Sequence, residues 1–123
     1  MNQNKPFRIS SRIKSFSYAL KGIKLFFITQ HNAWIHAFSG AGVVILGFVL
    51  KVNTSEWCWL IIAMAMVIIS EMLNTAVEFL TDLVSPGFHL QAEKVKDVAA
   101  GAVLIAALTA TVIGAVIFLP KIF

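Results

Sequence analysis

The chain has 123 residues, 59% of them hydrophobic and 13% charged, about half the charged share of an ordinary soluble domain. That composition excludes a water-soluble globular enzyme and points to a membrane protein, with length enough for a single domain, 1–123, and not two. The net charge of +4 is uneven: Lys5, Arg8, Arg12, Lys14, Lys21 and Lys24 all precede residue 25 with no acid among them, which suits anionic lipid headgroups better than nucleic acid, since no nucleic-acid module accompanies it.

Residues 1–7 are polar and are expected to be disordered. From 8 to 29, Ile9, Ile13, Phe16, Leu20, Ile23 and Phe27 recur at steps of 4, 3, 4, 3 and 4, one apolar face of a helix. Basic residues occupy much of the remainder, so the segment reads as an amphipathic helix in the membrane interface. Three apolar runs follow, at 33–50, 57–80 and 98–119, each near or above the ~20 residues that cross a hydrocarbon core. Gly40, Gly42 and Gly47 in the first run read as packing positions. Lys51–Glu56 is a short polar connection, and Asp82–Lys96 a longer one containing the turn pair Pro86-Gly87. Trp57 and Trp59 suit an interfacial aromatic belt. Cys58 is the single cysteine, so no disulfide forms within the chain. The first long apolar run starts near Ala33 with no small-residue cleavage site after it, unlike a secretory signal. His31, His36 and His89 show no metal-ligand spacing and read as interfacial. The basic N-terminus marks the cytoplasmic side, which puts Lys51–Glu56 outside and Asp82–Lys96 inside.

The second span carries the chemistry. On a helix, Glu71, Asn74, Thr75, Glu78 and Asp82 fall within roughly a 100° stripe, opposite Met72, Leu73, Val77, Phe79 and Leu80. A charged side chain at mid-bilayer costs about 2.5–3.5 kcal/mol on insertion scales, so three acids on one face point to an aqueous site that uses negative charge. Counted from Trp57, Glu71 lies ~21 Å along the span, Glu78 ~32 Å and Asp82 ~38 Å. The stripe therefore runs from the inner leaflet to the cytoplasmic interface, where a water-soluble reactant meets a lipid headgroup, and not at the midplane that suits transport.

The inner connection adds His89, Glu93, Lys94, Lys96 and Asp97, followed by the small-residue run Ala99–Ala102 that allows close helix approach. Carboxylates for Mg²⁺, cations for phosphates and a base for an attacking hydroxyl are the parts of phosphoryl transfer. There is no GxxxxGK[ST] loop and no Gly-rich kinase loop, so the soluble nucleotide folds that use them are excluded.

The run Glu71-Met-Leu-Asn74-Thr75-Ala-Val-Glu78-Phe-Leu-Thr-Asp82, with Lys94-Val-Lys96-Asp97-Val-Ala-Ala-Gly-Ala-Val-Leu downstream, resembles the prokaryotic diacylglycerol kinase family, which includes undecaprenol kinases. The likeness covers roughly Ser11–Leu119. It implies an all-α membrane protein with a surface helix and three spans, assembled as a homotrimer in the bacterial cytoplasmic membrane, with the active site facing the cytoplasm. It implies ATP as co-substrate, Mg²⁺ as cofactor and a membrane lipid alcohol as acceptor. By position, Glu71 would be the general base, Glu78 would bind Mg²⁺ and nucleotide, and Asn74 would orient groups in the site. Lys96 and Asp97 would serve the nucleotide, and Asp82 the cytoplasmic mouth. One position departs: where the family commonly has a metal-assisting Glu, this chain has Gln30, whose neutral amide is a weaker ligand for a hard cation. Diacylglycerol is the first expected acceptor and undecaprenol the second. Outside this class stand a small oligomeric transporter or channel using Glu71, and a scaffolding membrane protein that would need no acid stripe.

Overall fold

The structure, a computed structural model, describes residues 6–123. Most of the polar lead, including Lys5, lies outside the described residues. Four helices follow in order: α1 (Ile9–Thr29), α2 (His31–Val49), α3 (Thr54–Val84) and α4 (Leu90–Ile122). There is no strand among the described residues, and α2, α3 and α4 are each long and apolar enough to cross a membrane. The chain is an all-α membrane protein.

The repeat of apolar residues in α1 produces a helix whose apolar face the chain itself does not cover: Ile9, Ile13, Phe16, Leu20 and Ile23 are all exposed. Gln30, with extended backbone, separates α1 from α2. The corner is held by the Trp34 indole N–H, which donates to the Phe27 carbonyl at 2.9 Å, while the two rings meet edge to face at 5.4 Å.

The start of α3 is written locally. The Asn53 side chain accepts from the Glu56 N–H at 2.8 Å, and the Glu56 carboxylate accepts from the Asn53 N–H at 3.0 Å, a capping box that satisfies two otherwise orphaned donors. The Asn53 N–H, helped by the Lys121 ammonium, holds the Glu56 carboxyl below the ordinary range; Glu56 precedes the apolar run of 57–80. Asn53→Ala should cost about 0.5–2 kcal/mol of stability, read as a lower midpoint of thermal unfolding in detergent, with kinetic constants of the surviving protein unchanged.

Antiparallel packing sets the register of the rest. Lys96 meets Asp82 at one end of the α3–α4 pair and Lys121 meets Glu56 at the other, 3.1 Å away. Against α2, His36 lies opposite Glu71, Gly40 opposite Met64 and Gly47 opposite Trp57. A Cβ built on Gly47 would fall 2.5 Å from the Trp57 ring, and one on Gly40 would be 3.5 Å from Met64 Sδ. Both are packing positions, as expected, whereas Gly42 faces open space. Trp57 is drawn in against Gly47 and Phe48, and Trp59 stays exposed. The apolar core, Val52, Leu60, Ile117 and Phe118 with Leu46, Trp57 and Ile113 against it, sits at the end of the bundle away from the acid stripe.

The connection expected over Asp82–Lys96 is shorter than its polarity suggested. Helix α3 continues through Asp82 to Val84, and α4 begins at Leu90, leaving residues 85–89 to turn the chain. Charge ends a hydrophobic run without ending a helix; Pro86 and Gly87 end it here. Asp82, Lys96 and Asp97 thus stand on helices whose lengths are fixed. At ~1.5 Å per residue both long helices exceed a ~30 Å hydrocarbon core.

Candidate active site

The stripe inferred from spacing forms on α3. Glu71 is buried, 7% exposed, with Oε1 3.0 Å from His36 Nε2 on α2. One turn on, Thr75 is buried and donates its hydroxyl to the Glu71 carbonyl at 2.9 Å. Asn74 Nδ2 donates to Glu78 Oε1 at 3.2 Å. Asn74 Oδ1 is buried without a partner, and a buried orphan acceptor is costly unless something in use fills it. Glu71 and Glu78 are separated by about 10 Å of helix rise.

At the turn end, Lys96 Nζ donates to Asp82 Oδ1 at 2.6 Å. Both side chains are well exposed, 41% and 62%, so the pair adds little to stability. Lys96 precedes the apolar run of 98–119, and its bond to Asp82 holds the ammonium above the ordinary lysine range. Asp82, Lys96 and Asp97 share a cleft of about 350 Å³ with the turn residues Ser85–His89. Among the described residues Glu78 forms no ion pair with Lys94 or Lys96; Lys96 pairs with Asp82.

Gln30 is half-buried and its Nε2 donates to Thr29 Oγ1 at 3.3 Å, not to an acid of α3. Its level is nonetheless that of the stripe. Five residues back from His36 reach the start of α2 and one more reaches Gln30; the same six forward from Glu71 along antiparallel α3 reach Val77, between Asn74 and Glu78. Among the described residues no three His, Cys, Asp or Glu side chains converge as a metal cage.

The residue that sequence reasoning missed is His36. Read as interfacial and unconnected, it instead contacts the buried acid of the stripe. The contact spans 35 positions, so no local pattern could reveal it. A polar side chain inside an apolar run was the available signal. His36 also lines an apolar groove of about 510 Å³ between α2, α3 and α4, with Gly40, Val43, Ala63, Ala107 and Gly114 along its walls.

A family model described as prokaryotic diacylglycerol kinase matches residues 17–118. The chain belongs to the prokaryotic diacylglycerol kinase family. Among members of this family, the undecaprenol kinase of Bacillus subtilis (strain 168) is 38% identical over 109 residues, covering 89% of this chain and 89% of that protein. The diacylglycerol kinase of Synechocystis sp. (strain ATCC 27184 / PCC 6803 / Kazusa) is 39% identical over 109 residues, 88% of this chain and 62% of that protein. This chain therefore spans less than two thirds of that relative. The diacylglycerol kinase of Escherichia coli (strain K12) is 33% identical over 107 residues, 81% of this chain and 82% of that protein. Membership of the prokaryotic diacylglycerol kinase family makes the chain an enzyme of the lipid-kinase class, and decides against the transporter and scaffold readings.

Proposed function

We propose that this protein is a single-domain kinase of the bacterial cytoplasmic membrane that transfers the γ-phosphate of ATP to a membrane lipid alcohol, with Mg²⁺ as cofactor and the site facing the cytoplasm. The observation that carries the reading is the pairing on one face of α3 of a buried carboxylate, Glu71, with a second, Glu78, tied to Asn74. The donor set suits Mg²⁺. The Glu78 carboxylate and the unpartnered Oδ1 of Asn74 are hard oxygens, and this ion is commonly held by one or two carboxylates plus substrate phosphates instead of a full protein cage. When bound, Mg²⁺ would neutralise charge on the phosphates.

The chain's own residues do the rest. Glu71 accepts the proton of the lipid hydroxyl, whose oxygen attacks the γ-phosphorus in line. Asn74 holds Glu78 in place through Nδ2. Lys96 and Asp97, beside the cleft at the turn, serve the nucleotide, with Asp82 fixing Lys96. Gln30, level with Asn74 and Glu78, offers its carbonyl as a weaker third oxygen donor. The basic face of α1 rests on anionic headgroups while its uncovered apolar face enters the interface. Apolar side chains that the chain leaves uncovered on α2, α3 and α4 favour self-association, which we take to be a homotrimer.

The acceptor is diacylglycerol on the activity for which the family is named. One observation favours undecaprenol: the undecaprenol kinase relative aligns over 89% of both chains, whereas this chain covers 62% of the Synechocystis diacylglycerol kinase. The deciding experiment is transfer of label from γ-labelled ATP in detergent–lipid micelles, with the two alcohols offered separately and Mg²⁺ supplied or chelated. Label in one lipid, dependent on Mg²⁺, names the substrate. No label in either, from folded protein, sinks the reading.

A further inference from the structure

The buried base is not left to choose its own direction. Glu71 Oε1 stands 3.0 Å from His36 Nε2, the acid being 7% exposed overall and the imidazole side chain 24%. An ionised carboxylate has only acceptors, so in the state that can take a proton the contact requires the hydrogen on Nε2, with the imidazole donating. That bond engages one carboxylate oxygen and leaves Oε2 as the basic one. The ring that makes it also forms part of the wall of the 510 Å³ apolar groove, the surface along which the hydrocarbon part of a lipid alcohol would lie. His36 therefore joins two things the reaction must bring together, the base and the path of the acceptor.

From this geometry we infer that His36 is a positioning residue for phosphoryl transfer: its Nε2–H fixes Glu71 Oε1, so that Oε2 meets the hydroxyl of a lipid alcohol entering along the groove between α2, α3 and α4. The inference rests on the reading of Glu71 as the base. In the step itself, Oε2 takes the hydroxyl proton, the alcohol oxygen forms its bond to the γ-phosphorus, and the bond to the β–γ bridging oxygen breaks with its electron pair leaving on ADP. The His36 proton stays on Nε2 throughout. Because a misplacement of about 1 Å can cost about 10²-fold, losing the donor should lower kcat and leave substrate binding nearly alone.

The side-chain series that tests it separates a donor at the right reach from mere bulk. Glutamine places an amide nitrogen near the position of Nε2; asparagine is one carbon shorter, and leucine has no donor. Full-length wild type, His36→Gln, His36→Asn, His36→Leu and Glu71→Gln would be compared in micelles for kcat, for KM of ATP and of lipid, and for thermal unfolding. The expected result is a fall in kcat on the order of 10²-fold for Asn and Leu, with both KM values close to wild type. His36→Gln should keep the larger part of the activity. Equal kcat for the Gln and Asn variants, whether both high or both low, would overturn the inference, and if the Leu variant fails to fold this pair still decides. An inactive Glu71→Gln beside fully active His36→Asn rejects the positioning role and leaves the base standing. An active Glu71→Gln rejects the base, and the inference with it.

Discussion

Glu71→Gln should reduce phosphate transfer by about 10²–10⁴-fold, the range that a positioned general base contributes, without unfolding the protein. The substitution changes little except basicity. Glutamine has nearly the shape of glutamate, and its carbonyl can still accept from His36 Nε2. The Thr75 hydroxyl bonds the backbone carbonyl of residue 71 and not its side chain, so that contact also survives. Replacing a buried acid by an amide even removes a burial cost. Initial rates with γ-labelled ATP, set beside a thermal melt, provide the check. A variant that keeps more than about a tenth of wild-type kcat would remove Glu71 from the role, since a lost base cannot cost so little.

Glu78→Gln should strike a different quantity. Metal-borne charge stabilisation is worth several kcal/mol, and each ~1.4 kcal/mol is tenfold in rate, so kcat/KM for ATP should fall by about 10²–10³-fold. Unlike the loss at Glu71, part of it should return when Mg²⁺ is raised, because a weaker ligand set fills at higher concentration. The companion is Gln30→Glu. The register set by His36 opposite Glu71 brings position 30 level with Asn74 and Glu78, so a carboxylate there should lower the Mg²⁺ concentration giving half-maximal rate. Activity in the Glu78 variant that is independent of Mg²⁺ concentration and near wild type would refute the assignment. An unmoved Mg²⁺ titration in the Gln30 variant would show that the α1–α2 corner does not reach the metal.

Periodicity carried most of this architecture. The 4, 3, 4, 3, 4 spacing of apolar residues predicts α1 nearly to its ends, and the three apolar runs predict α2, α3 and α4, because helix and burial patterns are local. Where the helices stop was less legible at the turn: hydropathy fell at Asp82 while the helix ran to Val84. The start of α3 was missed too: Lys51–Glu56 reads as a polar connection, yet the Asn53–Glu56 capping box starts the helix at Thr54, inside it. The acid stripe was legible because helical geometry alone aligns Glu71, Asn74, Glu78 and Asp82. Its partners were not. The bond to His36 and the pairing of Lys96 with Asp82 depend on which helices pack together and in what register, and no spacing within one helix encodes that.

The apolar core lies at one end of the bundle and the acid stripe at the other, which gives the molecule the layout of tongs. Leu60, Ile117 and Phe118 form the rivet, and the segments carrying His36, Glu71 and Glu78 are the jaws. Durability and turnover are then assigned to opposite ends of the bundle. A worn rivet shortens the life of the protein, and a bent jaw changes its grip.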